Sequence, residues 1–273
     1  MKREAFVDVV SQPMFDVPYA ALLLARDVAY PDLRPEPYLA QLDELSRAAG
    51  AAMPPSSGAA ERAVALATFL AADAGFQGNI VAYADPRNSF LNDVLEQRQG
   101  IPITLSIVYV AVARRLGLDA SGVGLPGHFI AGVQAGAERV LLDPFHGGVR
   151  LSPADCQRLV QETVGYDGPL DPVWLEPAPP QAILLRMLNN LRMVYLQVGD
   201  WQQALVVLKK LREMQPEEPA HLRDIGLIHY HHGTLYAAAH YLEAYLEHDP
   251  DSPAAMAIRQ NLTADFSRWA RQN

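Results

Sequence analysis

The hydrophobic pattern of this chain has one clear maximum, from Ile101 to Ala113, where apolar and small residues follow one another with only Thr104 and Ser106 as polar breaks. The run has punctuation on both sides. Gly100 frees the backbone before it, Pro102 suits the first helical position, and Gly117 stands where a left-handed C-cap belongs. Arg114 and Arg115 fall in the last turn, where cations complement the helix dipole. The spacing predicts a helix that is apolar on every face and therefore buried on most sides.

Before it, the pattern has helical period. Helices are predicted over Pro18–Ala29, over Pro35–Ala49 with Tyr38, Leu39, Leu42 and Leu45 on one face, and over Ala59–Ala72. The prolines and serines of Met53–Gly58 mark a loop, and Ser89 is placed to cap a short helix Phe90–Arg98. After the central helix the pattern breaks into short apolar runs separated by glycine. Ser121–Leu125, His128–Val133 and Arg139–Asp143 read as antiparallel strands, with Gln134–Ala137 as a hairpin loop. Ser152, Pro153 and Asp155 form the start of another helix, with a capping-box arrangement. Helices gathered ahead of a small antiparallel sheet indicate an α+β fold.

The proline-rich stretch Trp174–Pro180 is a stiff connector. It separates a first domain, residues 1–175, from a second, residues 181–273. In the second, Gly199 and Gly233, Ala204 and Ala238, Leu208 and Leu242, and Pro216 and Pro250 each stand 34 residues apart. That period, with glycine, alanine and proline at these places, is the tetratricopeptide pattern, here two repeats and a terminal helix Pro253–Arg271.

Composition narrows the function. The 273 residues are 50% hydrophobic and 19% charged, with a net charge of -9. An acidic chain lacks the basic footprint that phosphate backbones require, so no nucleic acid partner is expected. No apolar run is long enough to span a bilayer, and the first residues carry no secretory signal, so a cytoplasmic protein without a membrane partner is expected. Nothing in the pattern assigns an oligomeric state. The single cysteine, Cys156, excludes an internal disulfide and a multi-cysteine zinc site. Its place near a helix start favours a lowered thiol pKa, yet it reads as a half-buried structural cysteine.

The residues Asp85-Pro86-Arg87-Asn88-Ser89, Gly100-Ile101-Pro102-Ile103-Thr104-Leu105, Gly127-His128-Phe129 and Asp143-Pro144-Phe145 together resemble the bacterial SirB-type family. That resemblance covers nearly the whole chain. It implies a transglutaminase-like core followed by tetratricopeptide repeats. The wider superfamily sets a nucleophilic Cys at the start of a buried helix, then a His and an Asp on successive strands. The thiolate attacks a carbonyl, the His moves the proton and the Asp orients the His. Carried onto this chain, the resemblance puts His128 and Asp143 at the His and Asp positions and Pro102 at that of the nucleophile.

Proline offers no nucleophilic atom. The leading expectation is therefore a non-catalytic protein that binds a peptide or protein partner in a groove near His128 and Asp143 and through its repeats. Arg87, Asn88 and Asn92 are candidate groove residues. The alternative is an amide-bond hydrolase or acyltransferase with a relocated hydroxyl, Ser106 or Thr104, and His128 as base. No cofactor is expected. His128, Asp143 and His146 raise the idea of a metal site, but no helix gathers them on one face, so no metal is expected. The tract His229–His232 reads as a helix end, where His suits the dipole.

Overall fold

The computed structural model describes residues 4–53, 57–248 and 250–260. The chain divides into two compact units, residues 1–194 and 195–273. Among the described residues no helix is long and apolar enough to cross a membrane.

In the first unit, helices α1 (Phe6–Val10), α2 (Val17–Val28), α3 (Pro35–Ala52), α4 (Ala59–Thr68) and α5 (Leu91–Gln97) precede the central helix α6 (Pro102–Arg115). The helices expected at Pro18, Pro35 and Ala59 are present. Asp16 caps α2 by accepting from the Tyr19 main-chain N–H at 2.7 Å. The third continues beyond Thr68 as a π turn, Phe69–Asp73. Helix α1 has too few residues for a periodic signal, yet Phe6 is fully buried. Ser89 does not cap α5. It lies buried in a 3-10 turn, Pro86–Ser89, that Asp85 opens by accepting from the Arg87 main-chain N–H, and Phe90 holds the N-cap position.

Helix α6 begins at Pro102, as its punctuation predicts, and is buried from Pro102 through Tyr109 and from Ala111 through Ala113. It contacts the two-residue parallel pair β1 (Gln77–Gly78) and β2 (Gln99–Gly100), and also the main sheet. That sheet runs in the order β3-β4-β5-β6, all antiparallel: Ala120–Leu125, His128–Ala135, Glu138–Asp143 and Val149–Leu151. Helix α6 packs on β3 and β4, whereas α7 (Pro153–Val164) packs on β4 and β6. Every residue of β4 from His128 to Val133 is buried, so the strand is an unbroken apolar run rather than an alternating one.

Two tight turns set the register. Pro126 and Gly127, the latter at φ +72°, join β3 to β4 with the residue pair a type II turn requires and set Leu125 opposite His128. Between β4 and β5 the loop is Gly136-Ala137, shorter than the expected Gln134–Ala137. Gly136 at φ +66° in the first loop position permits the tight hairpin, and pairing extends to Ala135 and Glu138. Strand β6 was not expected, because its three residues are too few and too exposed to leave a pattern. A capping box at Ser152 and Asp155 opens α7 as predicted. Helix α8 (Pro180–Val198) follows the connector.

The second unit contains α9 (Trp201–Met214), α10 (Pro219–His231), α11 (Leu235–His248) and a helical segment at 253–260. The remainder of the expected terminal helix, 261–271, lies outside the described residues. The repeat landmarks fall where the period requires. Gly199 and Gly233 both have positive φ, and Ala204, Ala238, Leu208 and Leu242 are all buried. At Gly226 in α10, a Cβ would come within 2.7 Å of Leu242 in α11, so the two helices approach over a missing side chain. Gly226→Val is therefore expected to destabilise the repeats by about 1–3 kcal/mol, read as a lower urea midpoint of the helical circular-dichroism signal.

Candidate functional site

Three residues from the sheet and the turn after it meet at one point. His128 opens β4, Asp143 closes β5, and His146 lies in the turn leading to β6. Asp143 Oδ2 is 2.9 Å from His128 Nε2 and 2.7 Å from His146 Nδ1. Its other oxygen, Oδ1, accepts from the main-chain N–H groups of Phe145 at 3.0 Å and His146 at 3.4 Å. Asp143 is fully buried, His128 nearly so, and His146 half exposed. Burial works to raise the pKa of Asp143. The hydrogen bonds and charges of His128 and His146 outweigh it and hold the carboxyl below its ordinary range. The Tyr109 hydroxyl of α6 is pushed up by burial and, further, by the Asp143 charge.

One aromatic ring packs against both imidazoles. His128 and His146 stack with centroids 5.7 Å apart, and Phe145 meets both edge-on. Tyr83 meets Phe145 in turn at 5.9 Å. The segment before Tyr83 is fastened on two sides: the Gly78 N–H donates to the Phe145 carbonyl and the Asn79 N–H to that of Gly100. At Gly78 a Cβ would lie 2.6 Å from the Phe145 ring, so this approach requires glycine. Ile80, Val81 and Tyr83 are exposed beyond it and form an apolar rim.

The hydroxyl candidates are placed elsewhere. Thr104 Oγ1 donates to the main-chain carbonyls of Asn88 at 2.7 Å and Ile101 at 3.1 Å, and Ser106 Oγ donates to that of Phe129 at 3.3 Å. Both residues have zero exposure, and neither hydroxyl is bonded to His128. Ser106 also lines a cavity of about 280 Å³ with Val110, Arg114 and Phe129. These bonds satisfy the hydroxyls within the core and count against both as nucleophiles.

The expected groove residues do not share one surface. Arg87 is exposed and its guanidinium is held by Asp85 at 2.6 Å. Asn88 is buried. Its amide donates to the Ala82 and Tyr83 carbonyls and its side-chain oxygen accepts from Asn79, so it fixes the rim segment from beneath. Asn92 is also buried and lines a different cavity with Tyr30 and Tyr38. The reason is local: a 3-10 turn and then a helix rotate these three positions apart, although they lie close in sequence. The rim residues and His146 took no part in the expected binding surface. The signal for His146 was its place three residues after Asp143, but a turn, not a helix, brings it back.

The chain has relatives by sequence. A family model described as the transglutaminase-like superfamily matches residues 36–189, and a tetratricopeptide repeat model matches residues 191–263. The chain belongs to the transglutaminase-like superfamily. A UPF0162 protein of Xylella fastidiosa is 33% identical over 261 residues, covering 94% of this chain and 92% of that one. A UPF0162 protein of Pseudomonas aeruginosa is 34% identical over 214 residues, 78% of this chain and 77% of the other. F-box only protein 21 of Mus musculus is 34% identical over 97 residues, 33% of this chain and 16% of that protein. The expected order, a transglutaminase-like core followed by tetratricopeptide repeats, is the order found.

The one thiol of this chain lies in the core. Cys156 is fully buried in a cluster with Val123, Leu125, Ile130, Leu141 and Val160. Burial, with the charges of Asp155 and Asp143, pushes its pKa up to about 11, the reverse of the lowering expected from a helix start. Native protein at pH 8 is therefore expected to leave Cys156 unlabelled by a thiol-disulfide reagent such as Ellman's, with full labelling on unfolding in guanidinium. For Thr104→Val, loss of the bond to the Asn88 carbonyl is expected to reduce stability by about 1–3 kcal/mol, measured by urea denaturation.

Proposed function

We propose that this protein is a non-catalytic, regulatory member of the transglutaminase-like superfamily that works in the cytoplasm. It holds a peptide or protein segment at the surface around His128 and Asp143. Residues 1–175 carry that surface, and residues 181–273 supply a second one through the tetratricopeptide repeats. The observation that carries the reading is the occupation of the hydroxyls. Pro102 stands at the position that the superfamily resemblance gives to the nucleophile, and Thr104 and Ser106 each donate to main-chain carbonyls. His128 thus has an orienting carboxylate, and among the described residues no hydroxyl or thiol is hydrogen-bonded to its ring.

The surface beside it suits a peptide. Ile80, Val81 and Tyr83 present exposed apolar area at the end of a segment anchored to both Gly100 and Phe145, and exposed apolar area of this kind favours burial against a partner. Tetratricopeptide helices offer the complementary mode, a groove between helix pairs that takes a short segment. The alternative, hydrolysis or acyl transfer with His128 as base, requires a hydroxyl within reach of the ring.

Two measurements decide between them. A peptide-display library panned on the full-length protein is expected to yield binders whose affinity falls at least about tenfold in Val81→Asp or Tyr83→Ala. A panel of amide and ester substrates is expected to show no turnover. Turnover that disappears in Ser106→Ala or Thr104→Val, with circular dichroism unchanged, replaces this reading with the enzyme.

A further inference from the structure

The His128, Asp143 and His146 cluster gathers two imidazoles on one oxygen of a buried carboxylate. Two main-chain N–H groups occupy the other oxygen. His146 is half exposed, so its ring was free to lie in solvent, yet it turns back onto the same carboxylate oxygen as His128 and stacks on that ring. The three ligand-type atoms lie within 4.8 Å of one another. We propose that His128 Nε2, Asp143 Oδ2 and His146 Nδ1 form a binding site for one divalent first-row transition metal ion.

The donor set fits that class. Two imidazoles and one carboxylate suit zinc or ferrous iron, whereas magnesium and calcium favour oxygen-only sites. The spacing fits as well. Ligands about 2.1 Å from a tetrahedral ion lie roughly 3.4 Å apart, so the hydrogen-bonded N···O distances of 2.9 Å and 2.7 Å need only a small expansion to admit one. Both rings are aimed at the carboxylate oxygen, so loading requires the two imidazoles to give up their hydrogen bonds to Oδ2 and turn toward a common point. The remaining support is already in place. Oδ1 is held by main-chain donors, which orients the carboxylate in the way ligand-supporting hydrogen bonds do. Two donors sit at strand ends, and the turn bearing the third is closed by Gly147 and Gly148, both at positive φ, with the Gly148 N–H donating to the Asp143 carbonyl at 2.7 Å. The exposed side of His146 gives an ion access from solvent, and three protein ligands leave a position for water or a partner's donor atom.

The inference is independent of peptide binding and is tested with no peptide present. The full-length protein is stripped with a chelator, then titrated with Zn²⁺ against a chromophoric zinc indicator and, separately, with Co²⁺ while visible absorption is recorded. One Zn²⁺ per chain and Co²⁺ ligand-field bands are expected. His146→Ala, at a half-exposed position that leaves the buried pair intact, is expected to weaken Zn²⁺ binding at least about tenfold and to abolish the Co²⁺ bands, with circular dichroism unchanged. The double substitution His231→Ala and His232→Ala is expected to leave both unchanged. Absence of stoichiometric uptake overturns the proposal. So does wild-type affinity in His146→Ala, or loss of binding only in the His231/His232 variant. The display experiment, run without added metal, still decides the peptide reading in any of these cases.

Discussion

A carboxylate with no exposure to water must be compensated where it stands, and the site depends on how this is done for Asp143. An isolated buried charge is strongly disfavoured, so it is stable only when its oxygens are fully hydrogen-bonded. Oδ1 takes two main-chain N–H groups from the turn that follows, and Oδ2 takes the two imidazoles. The first pair of bonds bends the chain directly after β5. The second ties the first residue of β4 to that bend. One charge thereby joins the turn, the hairpin's open end and both rings, and the imidazoles hold the carboxyl below its ordinary range against the effect of burial.

A second polar centre performs the same task at the start of α6. The main-chain carbonyl of Asn88 accepts from Thr104 Oγ1 and from the Ile101 N–H, while its side chain binds Asn79, Ala82 and Tyr83. The polar residues of this region are therefore consumed in joining the helix start to the rim segment. Side chains used in this way are poor candidates for binding a substrate, because a ligand must first break bonds already made in a low-dielectric interior. Ile80, Val81, Tyr83 and Arg87 are exposed beside this network, and His146 is half exposed.

Much of this was legible in the sequence. The bounds of α6 followed from Pro102 and Gly117, α7 from its capping box, and the repeats from a 34-residue period, because propensity, capping and periodicity act within one or two turns of chain. The pairing of His128 with Asp143 was readable only through the resemblance. The short elements were not legible, since α1 and β6 have too few residues to show a period and owe their form to packing.

The sequence by itself determined the class of fold and the order of core and repeats, because each follows from local spacing and periodicity. Tertiary structure decided which polar groups are free. The Thr104 and Ser106 hydroxyls are hydrogen-bonded to carbonyls 16 and 23 residues away in the chain, and a turn returns His146 to Asp143 where helical spacing gave no reason to place it. Partners of this kind are chosen by the packing of separate segments, and no local pattern encodes them.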